Sequence, residues 1–452
     1  MSSPIVSEHY RCPEEFVEFG LADNLSAQSG FFRFGRATCY GQSTPHIPGK
    51  PLNGHLFDAL RHVNFDGPTV YLPFDPKQVV DNLRLERYLD TLRGGDLDFT
   101  DHPITRRLYY FLRPLLFLSL RKRLQRIYLS PRKLLSFPAW PVDVTVECIL
   151  EQLLALALQS RGLDQIPFIW FWPDGFQSCL IMTHDVESKA GRDFCSELMD
   201  IDDSAAIKSS FQIVPERRYS VSEAFLNDIR NRGFEVNVQD LNHDGHLFSS
   251  RKRFHRRAKR INQYGKKYGA SGFRSAVLYR NPDWYDALEF FYDMSIPNSA
   301  HLEPQQGGCC TVMPYFIGSI LELPVTTTQD YSLFHILGSH SIDLWKSQIA
   351  SITEKHGLVS FIIHPDYIRE KPEQDTYIAL LKHLSELRSN KTIWTALPNE
   401  VNHWWRQRSQ MNLVCEGGKW RIEGEGSERA RIAYASLVGD AVRYTVDGAA
   451  SP

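Results

Sequence analysis

The stretch Ser178-Cys-Leu-Ile-Met-Thr-His-Asp-Val-Glu187 decides the fold, because a nearly continuous apolar run leads directly into a polar, acidic end. A second run, Leu358-Val-Ser-Phe-Ile-Ile-His364, has the same form. Strands that are apolar on both faces are typical of a parallel sheet covered by helices. Polar residues at the ends of such strands lie at the edge where parallel α/β folds carry their chemistry.

The residues around these two runs alternate between strand-like and helix-like patterns. Further strands are predicted at 209–214, 234–238, 273–277 and 320–325. Helices are predicted between them at 221–231, 249–268, 341–355 and 374–388. Short β-rich runs separated by helices predict βα units around a parallel sheet. The fold class is therefore α/β, and a distorted (β/α) barrel fits the spacing at least as well as an open sheet.

Two flanking regions differ from this barrel-sized part, so we predict three domains: 1–172, 173–405 and 406–452. The first contains a helix-like segment at 146–158, and the last alternates charged and apolar residues between glycines, which predicts a small β segment. Residues 107–135 are basic and rich in Leu and Phe. They fit either a helix packed on its own domain or an amphipathic helix lying on an anionic membrane.

Composition excludes several classes of protein. The 452 residues carry 51 Lys and Arg against 53 Asp and Glu, a formal net charge of −2, which disfavours a globally basic nucleic-acid binder. The N-terminus shows no signal-peptide pattern, and no apolar run is long enough to span a bilayer. The eight cysteines include no CxxC pair. We therefore expect a cytoplasmic protein without a disulfide framework or a cysteine zinc site.

The polar end of the first strand offers two carboxylates, Asp185 and Glu187, spaced so that both point the same way if the strand continues. One can ligate a metal while the other takes a proton from water. A helix cap and an ordinary loop acid are the structural alternative.

Other strand ends carry histidines and an arginine. Gln239, His243 and His246 follow one strand at spacings of four and three residues, which by themselves are a weak metal signal. Arg274 lies in the next strand, and His364 ends the last buried run, a good position for a general acid or base. Each feature alone is commonly structural, but all of them fall within one barrel-sized region.

In this order, the motifs resemble those of the polysaccharide deacetylases of the NodB-homology class, carbohydrate esterase family 4. The resemblance covers about 168–404, and it rests on five segments: Thr183-His-Asp-Val-Glu187, Gln239-xxx-His243-Asp-Gly, Gly272-Phe-Arg-Ser275, Leu321-Glu-Leu-Pro-Val325 and Ile363-His-Pro-Asp366. It implies a distorted (β/α) barrel that holds a divalent metal, usually zinc, through an aspartate and two histidines.

Carried over residue by residue, the resemblance implies that Asp185 is the general base and Arg274 the arginine that orients it. His364 takes the place of the general acid. Glu187 takes the place of the metal-binding carboxylate, and His243 that of the second metal-binding histidine.

Two positions depart from the family pattern. Glu187 replaces an aspartate, which is a mild change, but Gln239 replaces the first metal histidine, and an amide oxygen is a weaker zinc ligand than imidazole. Three interpretations stay open. His246 replaces the lost ligand; or Glu187, Gln239 and His243 hold a harder or weaker metal; or metal binding is lost.

The implied activity is metal-dependent removal of an N-acetyl group from an amino sugar of a bacterial surface polysaccharide or its precursor. Tyr279 and Trp284 are candidates to stack on the sugar, although core packing explains such aromatics equally well. Two rival hypotheses are a catalytically inactive glycan-binding protein and an assembly factor that contacts the membrane through 107–135. The expected partner is a carbohydrate and not nucleic acid, and the sequence leaves the oligomeric state open.

Overall fold

The structure, a computed structural model, describes residues 4–44, 52, 55–93, 129 and 135–447. The chain divides into two compact units. One comprises the described residues of 1–116, 144–175 and 404–452, and the other those of 117–143 and 176–403. The three-domain division predicted from the sequence stays a prediction. The predicted basic segment 107–135 lies outside the described residues except at its positions 129 and 135.

The described helices are α1 (Ile5–Tyr10), α2 (Pro76–Arg84), α3 (Leu89–Arg93), α4 (Thr145–Arg161), α5 (Lys189–Ser204), α6 (Glu223–Asn231), α7 (Arg251–Tyr268), α8 (Asp343–Glu354), α9 (Lys371–Ser389) and α10 (Pro398–Gln410). The described strands are β1 (Phe19–Leu21), β2 (Gly30–Phe34), β3 (Ala37–Gly41), β4 (Asn64–Asp66), β5 (Thr69–Leu72), β6 (Ile166–Ile169), β7 (Ser178–Val186), β8 (Ser210–Ile213), β9 (Glu235–Gln239), β10 (Gly272–Arg274), β11 (Tyr292–Asp293), β12 (Tyr315–Ile317), β13 (Ile320–Glu322), β14 (Leu358–Ile363), β15 (Ile393–Thr395), β16 (Asn412–Glu416), β17 (Lys419–Glu423), β18 (Ile432–Val438) and β19 (Ala441–Val446).

The second unit is built on a nine-stranded sheet in the order β12-β13-β11-β10-β9-β8-β7-β14, with β15 also paired to β7. Every pairing is parallel except that of β12 with β13. This is a mixed α/β architecture whose sheet curls into a half-barrel. Within the part of the chain that the structure describes, the end strands β12 and β14 do not pair with each other, so hydrogen bonding leaves the barrel open.

The two apolar runs form the strands that the sequence predicts. Both β7 and β14 are buried along their whole length, as expected for strands covered on both faces. The predicted strand at 273–277 ends earlier, at Arg274, because the chain turns into a short 3-10 segment at Ala276–Leu278. The very short strands β11 and β15 were not predicted, since two or three residues carry no periodic signal.

A serine caps the N-terminus of each of three helices that follow strands. Ser188, Ser222 and Ser250 each accept a hydrogen bond from a backbone N–H in the first turn of α5, α6 and α7, respectively. Such caps satisfy donors that have no partner within the helix. They therefore fix where each chain segment leaves the sheet edge and turns into its covering helix.

The first unit contains small sheets around the buried helix α4. Strand β18 pairs with β6 on one side and with β19 on the other, and β16 pairs with β17. The predicted separate β segment at 406–452 stays a prediction. The buried Arg408 donates to the backbone oxygens of His9, Tyr10, Ile169 and Trp170. Burial, with the charge of Arg11, lowers the pKa of Arg408 to about 9.

No helix among the described residues is both long enough and apolar enough to cross a membrane.

Candidate active site

Four of the predicted site residues lie at the carboxyl ends of neighbouring parallel strands. Asp185 lies near the end of β7, Gln239 ends β9, Arg274 ends β10, and His364 directly follows β14. Gln239 and Arg274 are register partners across the two strands. The sheet therefore gathers these side chains at one edge, where parallel α/β folds place their chemistry.

Strand alternation separates the residues of the first motif. Asp185 and Thr183 lie on one face of β7, where the Arg274 guanidinium donates to both, at 3.3 and 3.1 Å. His184 points to the other face, where its ring nitrogens lie 2.9 Å from Asp202 Oδ2 and 3.3 Å from the Ile363 carbonyl oxygen. This explains why His184 takes no part in the site although it lies beside Asp185.

Asp185 is held by donors on both of its oxygens. Arg274 Nη1 donates to Oδ1, and the Gln239 side-chain amide donates to Oδ2 at 2.9 Å. Burial raises the pKa of Asp185 above its usual value even though the Arg274 charge opposes this. A carboxylate with a raised pKa binds a proton more readily, which suits a general base.

Glu187 lies between two histidines. Its Oε1 atom is 2.7 Å from His243 Nε2 and 3.4 Å from His364 Nε2. Burial alone would raise the pKa of Glu187, but the two histidines outweigh burial and hold the pKa well below its usual value. Glu187 is therefore an anion at the centre of the cluster.

His364 has a second carboxylate partner that the sequence analysis missed. Asp330 Oδ1 lies 2.6 Å from His364 Nδ1, and Asp330 Oδ2 accepts from the His364 backbone N–H at 2.6 Å. Burial lowers the pKa of His364, but Asp330 and Glu187 outweigh it and raise the pKa well above its usual value. His364 is thus a protonated imidazole whose Nδ1–H is held by Asp330, which leaves the proton on Nε2 to be donated.

Arg218 is the other residue that sequence reasoning missed. Its Nη2 atom is 3.0 Å from His243 Nδ1 and donates to the His243 carbonyl oxygen at 2.7 Å. Because arginine can only donate, Nδ1 of His243 must accept, so the ring proton belongs on Nε2, facing Glu187. His243 also has a left-handed backbone with φ of 52°, an uncommon conformation for a residue other than glycine.

A third carboxylate fixes the turn after Glu187. Asp366 accepts from the Ser188 hydroxyl and from the backbone N–H groups of Gly191 and Glu187, at 3.2 Å and 3.4 Å for the two backbone donors. The motif Ile363-His-Pro-Asp366 therefore supplies both His364 and the residue that anchors the segment carrying Glu187.

The remaining predicted residues lie elsewhere in the second unit. His246 is exposed, and its Nδ1 atom lies 2.6 Å from the Asp244 carbonyl oxygen. Tyr279 is buried. The Trp284 ring packs against Phe248 and Phe254, with ring centroids 6.2 and 5.7 Å away. The roles predicted for His246, Tyr279 and Trp284 stay predictions.

The donor set fits a divalent cation. Asp185, Glu187 and His364 each have one potential ligand atom, and these atoms lie within 4.8 Å of one another. An imidazole ligates a metal only when the ligating nitrogen is unprotonated, so while His364 carries its Nε2 proton the donors of this group are the carboxylates of Asp185 and Glu187. Gln239 Oε1 is buried and has no hydrogen-bond partner among the described residues, which leaves one more oxygen donor. Carboxylate and amide oxygens are hard ligands, so the set contains more oxygen than nitrogen. Zinc stays a prediction.

Fold and site together define an α/β protein with a buried acid–base cluster at the carboxyl edge of a parallel sheet. No protein-family model and no curated protein matches the chain. Among solved structures, a protein from Mycobacterium smegmatis assigned as a polysaccharide deacetylase is 16% identical, with a TM-score of 0.43 over 53% of this chain and 93% of the other.

Two further structures show similar values. Peptidoglycan deacetylase PdaC from Bacillus subtilis is 11% identical with a TM-score of 0.33, covering 51% of this chain and 93% of its own. A family 4 acetyl xylan esterase from Clostridium thermocellum, in complex with a cobalt ion, is 13% identical with a TM-score of 0.32, covering 50% and 91%. With TM-scores below 0.5, what this chain does has to be inferred from its own site.

Proposed function

We propose that this protein is a metal-dependent deacylase that removes an N-acetyl group from an amino sugar of a bacterial surface polysaccharide or its precursor. The observation that carries the proposal is the convergence of Asp185 with Arg274 and of His364 with Asp330 around the anionic Glu187. A base held by an arginine and an acid held by a carboxylate are the two proton-transfer groups that amide hydrolysis needs.

Each residue has a distinct part in this reaction. Asp185 takes a proton from the attacking water, and Arg274 keeps the carboxylate oriented through Oδ1. His364 donates its Nε2 proton to the leaving amine while Asp330 holds Nδ1. A divalent cation held by Glu187 with the nearby donors, when bound, polarises the acyl carbonyl and lowers the pKa of bound water.

The substrate class rests on the resemblance of the five sequence motifs to the polysaccharide deacetylases. The experiment is acetate release from N-acetylated oligosaccharides, measured together with metal content by elemental analysis. The wild-type protein should release acetate and contain about one divalent cation per chain. Asp185→Asn should abolish turnover while leaving the melting temperature close to that of the wild type, and Asp375→Asn, at an exposed aspartate of α9, is the matched control.

The second candidate function is a glycan-binding protein without hydrolytic activity. The observation that favours it is the Gln239 amide, whose Nε2 donates to Asp185 and lies 3.5 Å from Glu187 Oε1, so one N–H donor group contacts both carboxylates. This candidate predicts neither metal nor acetate release in the wild type, and a gain of both in Gln239→His. Metal and turnover in the wild type would exclude it.

A further inference from the structure

Helix α7 is the most strongly charged element of the described chain. Its 18 residues include nine Lys and Arg and no Asp or Glu, although the whole protein has a net charge of only −2. One face of the helix packs into the second unit through Phe254, Ala258, Ile261 and Tyr268. The helix is therefore amphipathic, with a cationic outer side.

Four exposed cations form a line along that outer side, which we call the cationic stripe: Lys252, Arg256, Lys259 and Lys267. At 100° per residue these positions fall within an arc of about 80° directly opposite the buried face. With a rise of about 1.5 Å per residue, the stripe is about 22 Å long.

The stripe is not neutralised by the protein itself. Neighbouring cations of α7 are paired: Arg257 with Asp244, Arg260 with Glu216, and Lys266 with Glu289. None of the four stripe residues lies within 4.0 Å of a carboxylate among the described residues. The carboxylates near α7 therefore pair with cations beside the stripe and not with the stripe residues themselves.

This concentration of charge destabilises the helix that carries it. Like charges three and four residues apart repel each other on a helix surface. Arg251, Lys252 and Arg253 also occupy the first turn, where the helix dipole disfavours positive charge. An anionic partner lying along the stripe would offset both effects.

The helix that carries the stripe is tied to a segment of the candidate active site. Arg257 donates to both oxygens of Asp244, at 2.7 and 2.6 Å, and Asp244 directly follows His243 in the chain. The loop between β9 and α7 therefore ties the first half of the helix to the segment that carries His243.

We propose that the cationic stripe binds the carboxylate-bearing part of an anionic polysaccharide whose acylated sugar enters the active site. This inference rests on the proposed function for the identity of the polymer. A membrane surface fits less well, because an interfacial helix inserts its apolar face, and the apolar face of α7 is buried in its own unit. The outer face of α7 carries no exposed large apolar side chain.

The test uses alginate, a polyuronate without N-acetyl groups, so binding is measured independently of hydrolysis. Alginate should bind the full-length wild-type protein in calorimetry at low ionic strength, and more weakly at about 0.15 M salt because exposed charges are screened. The triple variant Lys252→Glu/Arg256→Glu/Lys259→Glu should bind at least about tenfold more weakly, since attraction becomes repulsion at three positions. If it does not fold, the corresponding glutamine variant replaces it.

The matched control is Lys346→Glu/Lys371→Glu/Lys382→Glu, which makes the same change in net charge at exposed lysines of α8 and α9. It should bind alginate more tightly than the stripe variant, with an affinity near that of the wild type. An equal loss of alginate affinity in both variants, or no loss of alginate affinity in the stripe variant, would overturn the proposal. So would stripe-dependent binding of anionic vesicles or an oligonucleotide in place of alginate. Absence of acetate release would overturn the proposed function alone.

Discussion

At the scale of single residues, the chemistry of the site depends on which group carries each proton. Glu187 is an anion between two histidines, and those histidines differ in what lies behind them. Asp330 accepts behind His364, whereas Arg218 donates behind His243. A carboxylate behind an imidazole favours the protonated ring, whereas the arginine behind His243 donates to Nδ1 and so leaves a ring proton for Nε2. The two histidines are therefore suited to different tasks.

We predict that Asp330→Asn weakens the general acid. Asp330 raises the pKa of His364, so its replacement by a neutral amide lowers that pKa, and His364 loses its proton at a lower pH than in the wild type. The alkaline limb of the pH–rate profile should move to lower pH, and kcat should fall at neutral pH. Asp343→Asn, at the exposed start of α8, is the control. An unchanged alkaline limb would show that His364 is not the acid.

We predict that Arg218→Ala increases the affinity for zinc. Without the arginine donor, Nδ1 of His243 is free to carry the ring proton, and Nε2 then presents a lone pair toward Glu187. Partners that orient a ligand from behind change metal affinity by about tenfold or more. Competition with a chromogenic chelator measures the affinity. Arg217→Ala removes the same charge from the neighbouring residue, and an equal gain there would contradict the tautomer argument.

At the scale of elements, the end of one helix binds two separate segments of the first unit. Arg408, in α10, donates to backbone oxygens of α1, of β6 and of the residue after β6. These residues are buried with the arginine, so a carbonyl group that loses this donor cannot readily bond to water instead. A single side chain thus supplies four hydrogen bonds that link α10 to these segments.

We predict that Arg408→Leu destabilises the first unit by about 3 kcal/mol or more, because several buried carbonyl groups lose their donor at once. Urea unfolding followed by tryptophan fluorescence measures the change. Arg443→Leu removes an exposed arginine of β19 in the same unit and should change stability little. Equal effects of the two substitutions would mean that the carbonyl contacts of Arg408 contribute nothing specific.

At the scale of the whole molecule, the pH dependence of stability includes a group far from the strand ends that carry the site. Glu235 begins β9, and its carboxylate accepts from the Asn399 backbone N–H at 3.0 Å and from Asn237 Nδ2 at 2.5 Å. Burial raises the pKa of Glu235 to about 7, although these hydrogen bonds oppose the shift. The folded protein therefore holds a proton on Glu235 that the unfolded chain releases at lower pH.

We predict that Glu235→Gln reduces the loss of stability between pH 5 and pH 8. In the wild type, the stabilisation that comes from this raised pKa is fully present below about pH 4.5 and is lost as the pH rises through about 7, by up to about 3 kcal/mol. A neutral amide does not titrate, so the variant should keep more of its stability at pH 8. Melting temperatures at both pH values test this, with Glu386→Gln, an exposed residue of α9, as control. Parallel curves for wild type and variant would refute it.

The α/β class, the positions of β7 and β14, and the strand ends that carry Asp185, Gln239, Arg274 and His364 can all be predicted from the sequence. These features are local: an apolar run specifies a buried strand, and a polar residue after it marks the strand end. The open, curled form of the sheet was not determined, because the spacing of βα units is the same in a barrel and an open sheet.

Which side chains come into contact depends on the three-dimensional packing of distant segments. Asp330 reaches His364 across 34 residues from the start of a short helical segment, and Arg218 reaches His243 across 25 residues from a loop. Both contacts depend on how short segments outside the sheet pack at its edge, and such short segments leave no repeating signal in the sequence. The sequence therefore named Asp185, His364 and Glu187 as candidate site residues, and the packing of distant segments decided which groups lie against each histidine.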